Sequence, residues 1–237
     1  MNLKNVAWLK MSGISGILAP LIAFTFISLA IVYSPEFSWT ENALSDLGVQ
    51  GGVTVMLFNC GLIITGVLAL IFACGLLVSQ KAIYGKVGAF IFVLAAFALT
   101  AIGLFPENVK PVHYYASVGF FVLFPISVLV LSATFFLEAK VKLGLFTFLV
   151  AAVAAAVWLI HWTIPFGSGV AIPEALSAVS ASTCSIVLGF KMLKEASHST
   201  KQQSKRHRFC EIFSSYICFE VLRNCKHFYQ FGRVIRT

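Results

Sequence analysis

The chain has 237 residues, 59% of them hydrophobic and only 11% charged, with a mean hydropathy of +0.92. Soluble domains carry roughly 25% charged residues, so a water-soluble globule is excluded and a polytopic membrane protein is indicated. The net charge of +8 is no nucleic-acid signal: residues 1–200 hold nine lysines against seven acids, and residues 201–237 hold eight lysines and arginines against two. Basic residues beside a bilayer are explained by orientation and anionic lipid.

Lys4 and Lys10 precede a first apolar run, Met11–Tyr33, which is too long for a signal-peptide core and reads as a spanning helix with a kink at Pro20. Between this run and the next lies the longest polar interruption of the first two hundred residues, Ser38–Gly52. Ser38 and Glu41 are spaced as a capping box, and Gly48 stands where a left-handed C-cap would stop a helix. The spacing predicts a short amphipathic helix over 39–47. Glu41, Asn42, Ser45 and Asp46 fall on its polar face, with Trp39, Ala43 and Leu47 on its apolar face.

Five further runs follow: Val53–Val78, Val87–Phe105, Val112–Leu137, Leu143–Ile164, and one from about Pro173 to Leu193. The six runs have 19 to 26 residues each, against about 20 needed to span a bilayer. The fold class is therefore all-α, a six-transmembrane-helix bundle with a short amphipathic helix on its outer face. The alanines at 151–157 and the small residues of the sixth run predict closely packed, well-buried fifth and sixth helices.

Orientation follows from the lysines. Lys4, Lys10, Lys81, Lys86, Lys140, Lys142, Lys191 and Lys194 fall on one side, and Lys110 alone falls on the other. The positive-inside rule makes this a multi-pass cell-membrane protein with both termini cytoplasmic. Two parts are expected, a transmembrane domain over 1–196 and a basic cytoplasmic tail over 197–237. All five arginines lie in that tail, and its usage suggests an appended or disordered end. The six cysteines are spaced like neither a disulfide framework nor a zinc motif.

Residues that could carry chemistry gather at the predicted outer face. His113 and His161 are the histidines of the transmembrane part, and both lie at outer helix ends. With Asp46 they are the candidate catalytic residues, either as acid–base groups or as ligands of a divalent metal such as zinc. Asn42, Ser45, Asn59, Glu107 and Glu174 are the candidate substrate-binding residues. Each also has a plainer reading: Glu174 favoured by a helix dipole, His113 and His161 in an aromatic belt, Asn59 as an interhelical bond.

The stretches Asn42–Gly48 (N-x-x-S-D-L-G), Phe58–Gly61 (F-N-x-G) and Gly103–Glu107 (G-L-F-P-E), followed by His113, resemble Domain-of-Unknown-Function family 998. These are six-helix prokaryotic and archaeal membrane proteins. The resemblance covers about residues 10–195 and implies the six-helix fold, without an established activity. A weaker similarity, to seven-helix membrane hydrolases holding zinc with His and Asp, meets two membrane histidines here and no H-x-x-x-H. The expected function is thus a polar Asp/His/Glu pocket at the outer face that acts on or binds a lipid. The alternatives are a structural or sensory accessory protein, or a small transporter. The bilayer and a lipid ligand are the expected partners, and no nucleic acid is expected.

Overall fold

A computed structural model describes the backbone of residues 3–234 and the side chains of residues 5–202. The described residues form helices and no strands: α1 (Leu3–Val32), α2 (Gly52–Ser79), α3 (Ile83–Leu104), α4 (Val112–Leu137), α5 (Val141–Thr163) and α6 (Ala171–Val234). A single 3₁₀ segment, Leu44–Gly48, lies between α1 and α2. Six of these helices are long and apolar enough to cross a membrane, so the chain is a multi-pass membrane protein. Their apolar residues continue around the outside, where Leu21, Val67, Phe97 and Leu145 stand exposed. A helix that is hydrophobic all round is stable only in a core or in lipid.

Each helix packs on its chain neighbour, and α6 closes the ring against α1, while α5 meets α6 more thinly. The closure depends on two glycines. A Cβ on Gly13 would sit 2.9 Å from the Gly189 carbonyl oxygen, and one on Gly189 would sit 2.7 Å from that of Gly13. Backbones approach this closely only where side chains are absent. Phe72, Phe92 and Phe124 stack edge-to-face through the centre, with ring centroids 5.6 and 5.8 Å apart, the arrangement that ring quadrupoles favour.

Two expectations from sequence need correction. The fifth and sixth helices are not well buried: a third of an 18-residue apolar stretch of each is buried, against half of that of α4. In α5, Ala152 and Ala155 are exposed because small residues leave space as well as permitting contact, and Val153 is exposed on another side. The helix expected over 39–47 is instead a turn followed by the 3₁₀ segment. The Ser38–Glu41 box gives way to local side-chain bonds: Ser38 N–H donates to Asn42 Oδ1 at 2.8 Å, and Ala43 N–H donates to Asp46 Oδ2 at 2.9 Å. Asn and Asp offer the backbone such alternatives and so compete with a helix. The apolar contacts shift accordingly, with Leu44 and Leu47 buried and Trp39 46% exposed.

The sixth helix continues past Leu193 and runs through the 196/197 boundary. Met192 and Ala196 still belong to the packed core, and side chains after Gln202 lie outside the described residues. The bundle has two chemically distinct ends. One carries the loops 33–51, 105–111 and 164–170 with Glu36, Glu41, Asp46, Glu107 and Glu174, and the other carries Lys81, Lys86, Lys140 and Lys142.

Candidate functional site

At the acidic end the loops are tied to one another through backbone. Gly169 N–H donates to the Thr40 carbonyl and Ala171 N–H to that of Asn42, both at 2.9 Å. Gly167 and Gly169 permit this approach, since a Cβ on either would fall 2.1 Å from Thr40 O or 2.3 Å from Asn42 O. The 42–48 turn is held from two more sides. Glu174, 8% exposed in the first turn of α6, accepts the Leu44 N–H on Oε2 at 2.6 Å. Asn59 of α2 donates from Nδ2 to the Gly48 carbonyl at 3.0 Å.

Beneath this lid lies a cavity of about 840 Å³ between α4 and α5. Its polar end is made by Ser45, Glu107, Lys110, His113 and Glu174, and below these Ser117 is the last polar side chain on the α4 wall. The remaining walls are apolar, including Phe121, Pro125 and Leu129 from α4 and Phe148, Ala152 and Trp158 from α5. The two helices join at the basic end through the short turn 138–140, where Ser132 Oγ donates to the Gly144 carbonyl at 2.8 Å. Towards the acidic end they leave room, and the exposed Val122, Ile126, Leu129, Phe148 and Leu159 put one side of the cavity at the bundle surface. The cavity is a lateral groove. From His113 to Leu129 it follows α4 for roughly 24 Å at 1.5 Å per residue, most of the way across a ~30 Å hydrocarbon layer.

His113 is 6% exposed and its Nδ1 lies 2.7 Å from the Phe105 carbonyl oxygen. A carbonyl only accepts, so Nδ1 carries the proton and, in the neutral ring, Nε2 keeps its lone pair. Glu107 accepts a long hydrogen bond from Ser45 Oγ, 3.4 Å. Burial raises its carboxyl above the ordinary value, and a hydrogen-bonding, like-charged Asp46 raises it further, while His113 and Lys110 pull it back.

A family model described as "Protein of unknown function (DUF998)" matches residues 17–191. The chain belongs to this DUF998 family. No curated protein and no solved structure matches it. In this DUF998 chain the motif stretches noted in the sequence interlock at the acidic end. Gly48 admits Asn59, whose Oδ1 would lie 2.6 Å from an added Cβ, and Gly103 lets α3 approach the Asn59 carbonyl at 2.9 Å from its own added Cβ. Asn42 Nδ2 donates to Asp46 Oδ2 at 2.9 Å.

The sequence candidates therefore divide. Ser45, Glu107, His113 and Glu174 line the groove, with Asp46 behind Glu107. Asn42 and Asn59 bind backbone and neighbouring side chains of the turn. His161 does not line the groove. Its Nδ1 accepts the Phe166 N–H at 3.3 Å, and the ring packs against Phe166 and Trp158. Among the described residues no three His, Cys, Asp or Glu side chains are grouped to hold a metal ion, so Asp46, His113 and His161 form no shared ligand set. The phase of α5 puts Trp158 and Trp162 on the groove and turns His161 into the 161–166 turn.

Sequence reasoning missed Lys110, Ser117, Trp158 and Trp162. Two of them left a signal. Lys110 is the lone lysine of the acidic end, and Ser117 stands at i+4 from His113, hence on the same face of α4.

Proposed function

We propose that the α4/α5 groove binds a bilayer lipid, with its head among Ser45, Glu107, Lys110, His113 and Glu174 and its chain along the apolar wall. One observation carries the reading: a groove of about 840 Å³ that is polar at the membrane-boundary end, apolar below, and open along the side where lipid lies. Ligand sites are concave, mostly apolar, and fitted with a few convergent polar groups. The lysine distribution supports placing the acidic end outside the cell membrane and both termini in the cytoplasm.

A second reading follows from His113 and Glu107. An imidazole with Nδ1–H tied to a carbonyl presents Nε2 as a base, and a neighbouring carboxyl biased toward its protonated form is an acid. The pair would serve acid–base chemistry on the head group of the held lipid, with His113 and Glu107 as the catalytic residues. The accessory-protein and transporter readings draw no comparable support from the groove.

The test of lipid binding fills the groove. Ala155→Trp places an indole in it, whereas Val153→Trp adds the same bulk on an exposed position outside it. Lipid retained by the purified protein, measured by native mass spectrometry, is expected to fall with Ala155→Trp and to persist with Val153→Trp. Equal retention by both would contradict the reading. For the acid–base reading, turnover of radiolabelled membrane lipid should vanish with His113→Ala and survive His161→Ala.

A further inference from the structure

We infer that the mouth of the groove selects a zwitterionic head group, a phosphate linked to a primary ammonium; the inference rests on the groove being a lipid site. The charges at the mouth are mixed. Glu107 and Glu174 line it with Asp46 behind, and Lys110 is the one lysine among the lining residues. A purely anionic head would meet two carboxyls for one lysine. An uncharged head would leave the remaining Glu107 and Glu174 oxygens short of donors in a partly buried mouth, where an unpaired polar atom is costly.

A head with both signs answers the lining. Lys110 is exposed at the entrance and suits a phosphate as a point charge. The inner wall is rich in acceptors. Glu107 accepts a long bond from Ser45 and lies within hydrogen-bonding reach of Asp46, itself an acceptor when ionised, and Glu174 has one oxygen left after Leu44 takes Oε2. Acceptors of this kind need hydrogen-bond donors. A primary ammonium supplies three, and a quaternary ammonium supplies none. Ser117, one helical turn below His113, stands where the polar linkage between head and chain would pass before the wall becomes apolar. Phosphatidylethanolamine has this chemistry, phosphatidylcholine lacks the N–H donors, and phosphatidylglycerol lacks the cation.

The experiment uses the full chain in vesicles holding equal amounts of these three lipids with matched chains, followed by native mass spectrometry of the extracted protein. Phosphatidylethanolamine is expected to be enriched on the protein over its share in the vesicle. Glu107→Gln should reduce that enrichment about tenfold, the equilibrium equivalent of roughly one charge-assisted hydrogen bond, and Lys110→Gln should lower retention of all three phosphate-bearing lipids alike. Lys110 is exposed, so its variant tests the phosphate contact, and the enrichment in the unsubstituted chain tests the head group, even where Glu107→Gln disturbs folding. Equal retention of the three lipids, or an enrichment that survives Glu107→Gln, overturns the head-group assignment and leaves the groove standing. Retention of no lipid overturns the groove and the assignment together.

Discussion

Glu174 and Leu44 are 130 residues apart, and the Glu174 carboxyl accepts the Leu44 backbone N–H at 2.6 Å. This bond fastens the first turn of α6 to the turn that roofs the groove. Both partners are buried, so removing the acceptor strands an N–H without water. Glu174→Ala is expected to destabilise the protein by about 1–3 kcal/mol, and Glu174→Gln, which keeps an acceptor oxygen, by less. Thermal unfolding in detergent reads the difference; equal losses would show that the hydrogen bond is not what holds the turn.

Gly169 brings the α5–α6 loop against the 38–42 turn, with the Glu41 carbonyl carbon 2.4 Å and the Asn42 nitrogen 2.5 Å from a built Cβ. These atoms are backbone and cannot rotate aside. Gly169→Ala is therefore expected to cost about 1–3 kcal/mol, as overpacking does, while Ser168→Ala beside it should be nearly neutral. A melting temperature unchanged by Gly169→Ala would contradict the docking of these loops.

Glu107 gives stability a pH dependence of known sign. Its carboxyl is raised from 4.5 in the folded protein, chiefly by burial and then by Asp46, so the folded state holds its proton to higher pH than the unfolded chain. The contribution is full below about 4.5, the unfolded value, and is lost as pH rises through the raised folded value. Glu107→Gln keeps a neutral side chain at every pH and should flatten this slope. Urea unfolding of detergent-solubilised protein between pH 4 and pH 8 checks it; a slope unaltered in the variant assigns the effect to other groups.

Membrane orientation has its own test. On a cysteine-free background, Gln50→Cys and Ser168→Cys at the acidic end should react with an impermeant thiol reagent on intact cells. Lys81→Cys and Val141→Cys at the basic end should react only after lysis. All four positions are exposed. Labelling of the second pair on intact cells would invert the topology.

The six spans were legible because each needs about 20 apolar residues and little else in the chain resembles that. The groove was not. The run AAVAAAV at 151–157 predicted tight packing, yet small side chains either admit a neighbouring backbone or leave a space, and rotation of α5 decides which. The same rotation separates His113 from His161, which sequence placed together by depth alone. Ser38 and Glu41 have the spacing of a cap, but Asn42 and Asp46 make shorter local bonds to Ser38 and Ala43. Glu107 and Glu174 were legible as acidic-end residues. Their convergence on one groove depends on loop contacts that join residues over 100 positions apart.

The central claim, that a lipid chain lies between α4 and α5, is tested most directly by photocrosslinking. Purified protein is reconstituted with a phospholipid bearing a diazirine near the end of one chain, irradiated, and digested for peptide mass spectrometry. Label is expected to concentrate on the groove wall, at 118–129 of α4 and 148–159 of α5, above the level at equally exposed lipid-facing positions of α1 such as Leu21. Ala155→Trp should remove the excess. Uniform labelling of α1, α4 and α5, unchanged by Ala155→Trp, would contradict the claim.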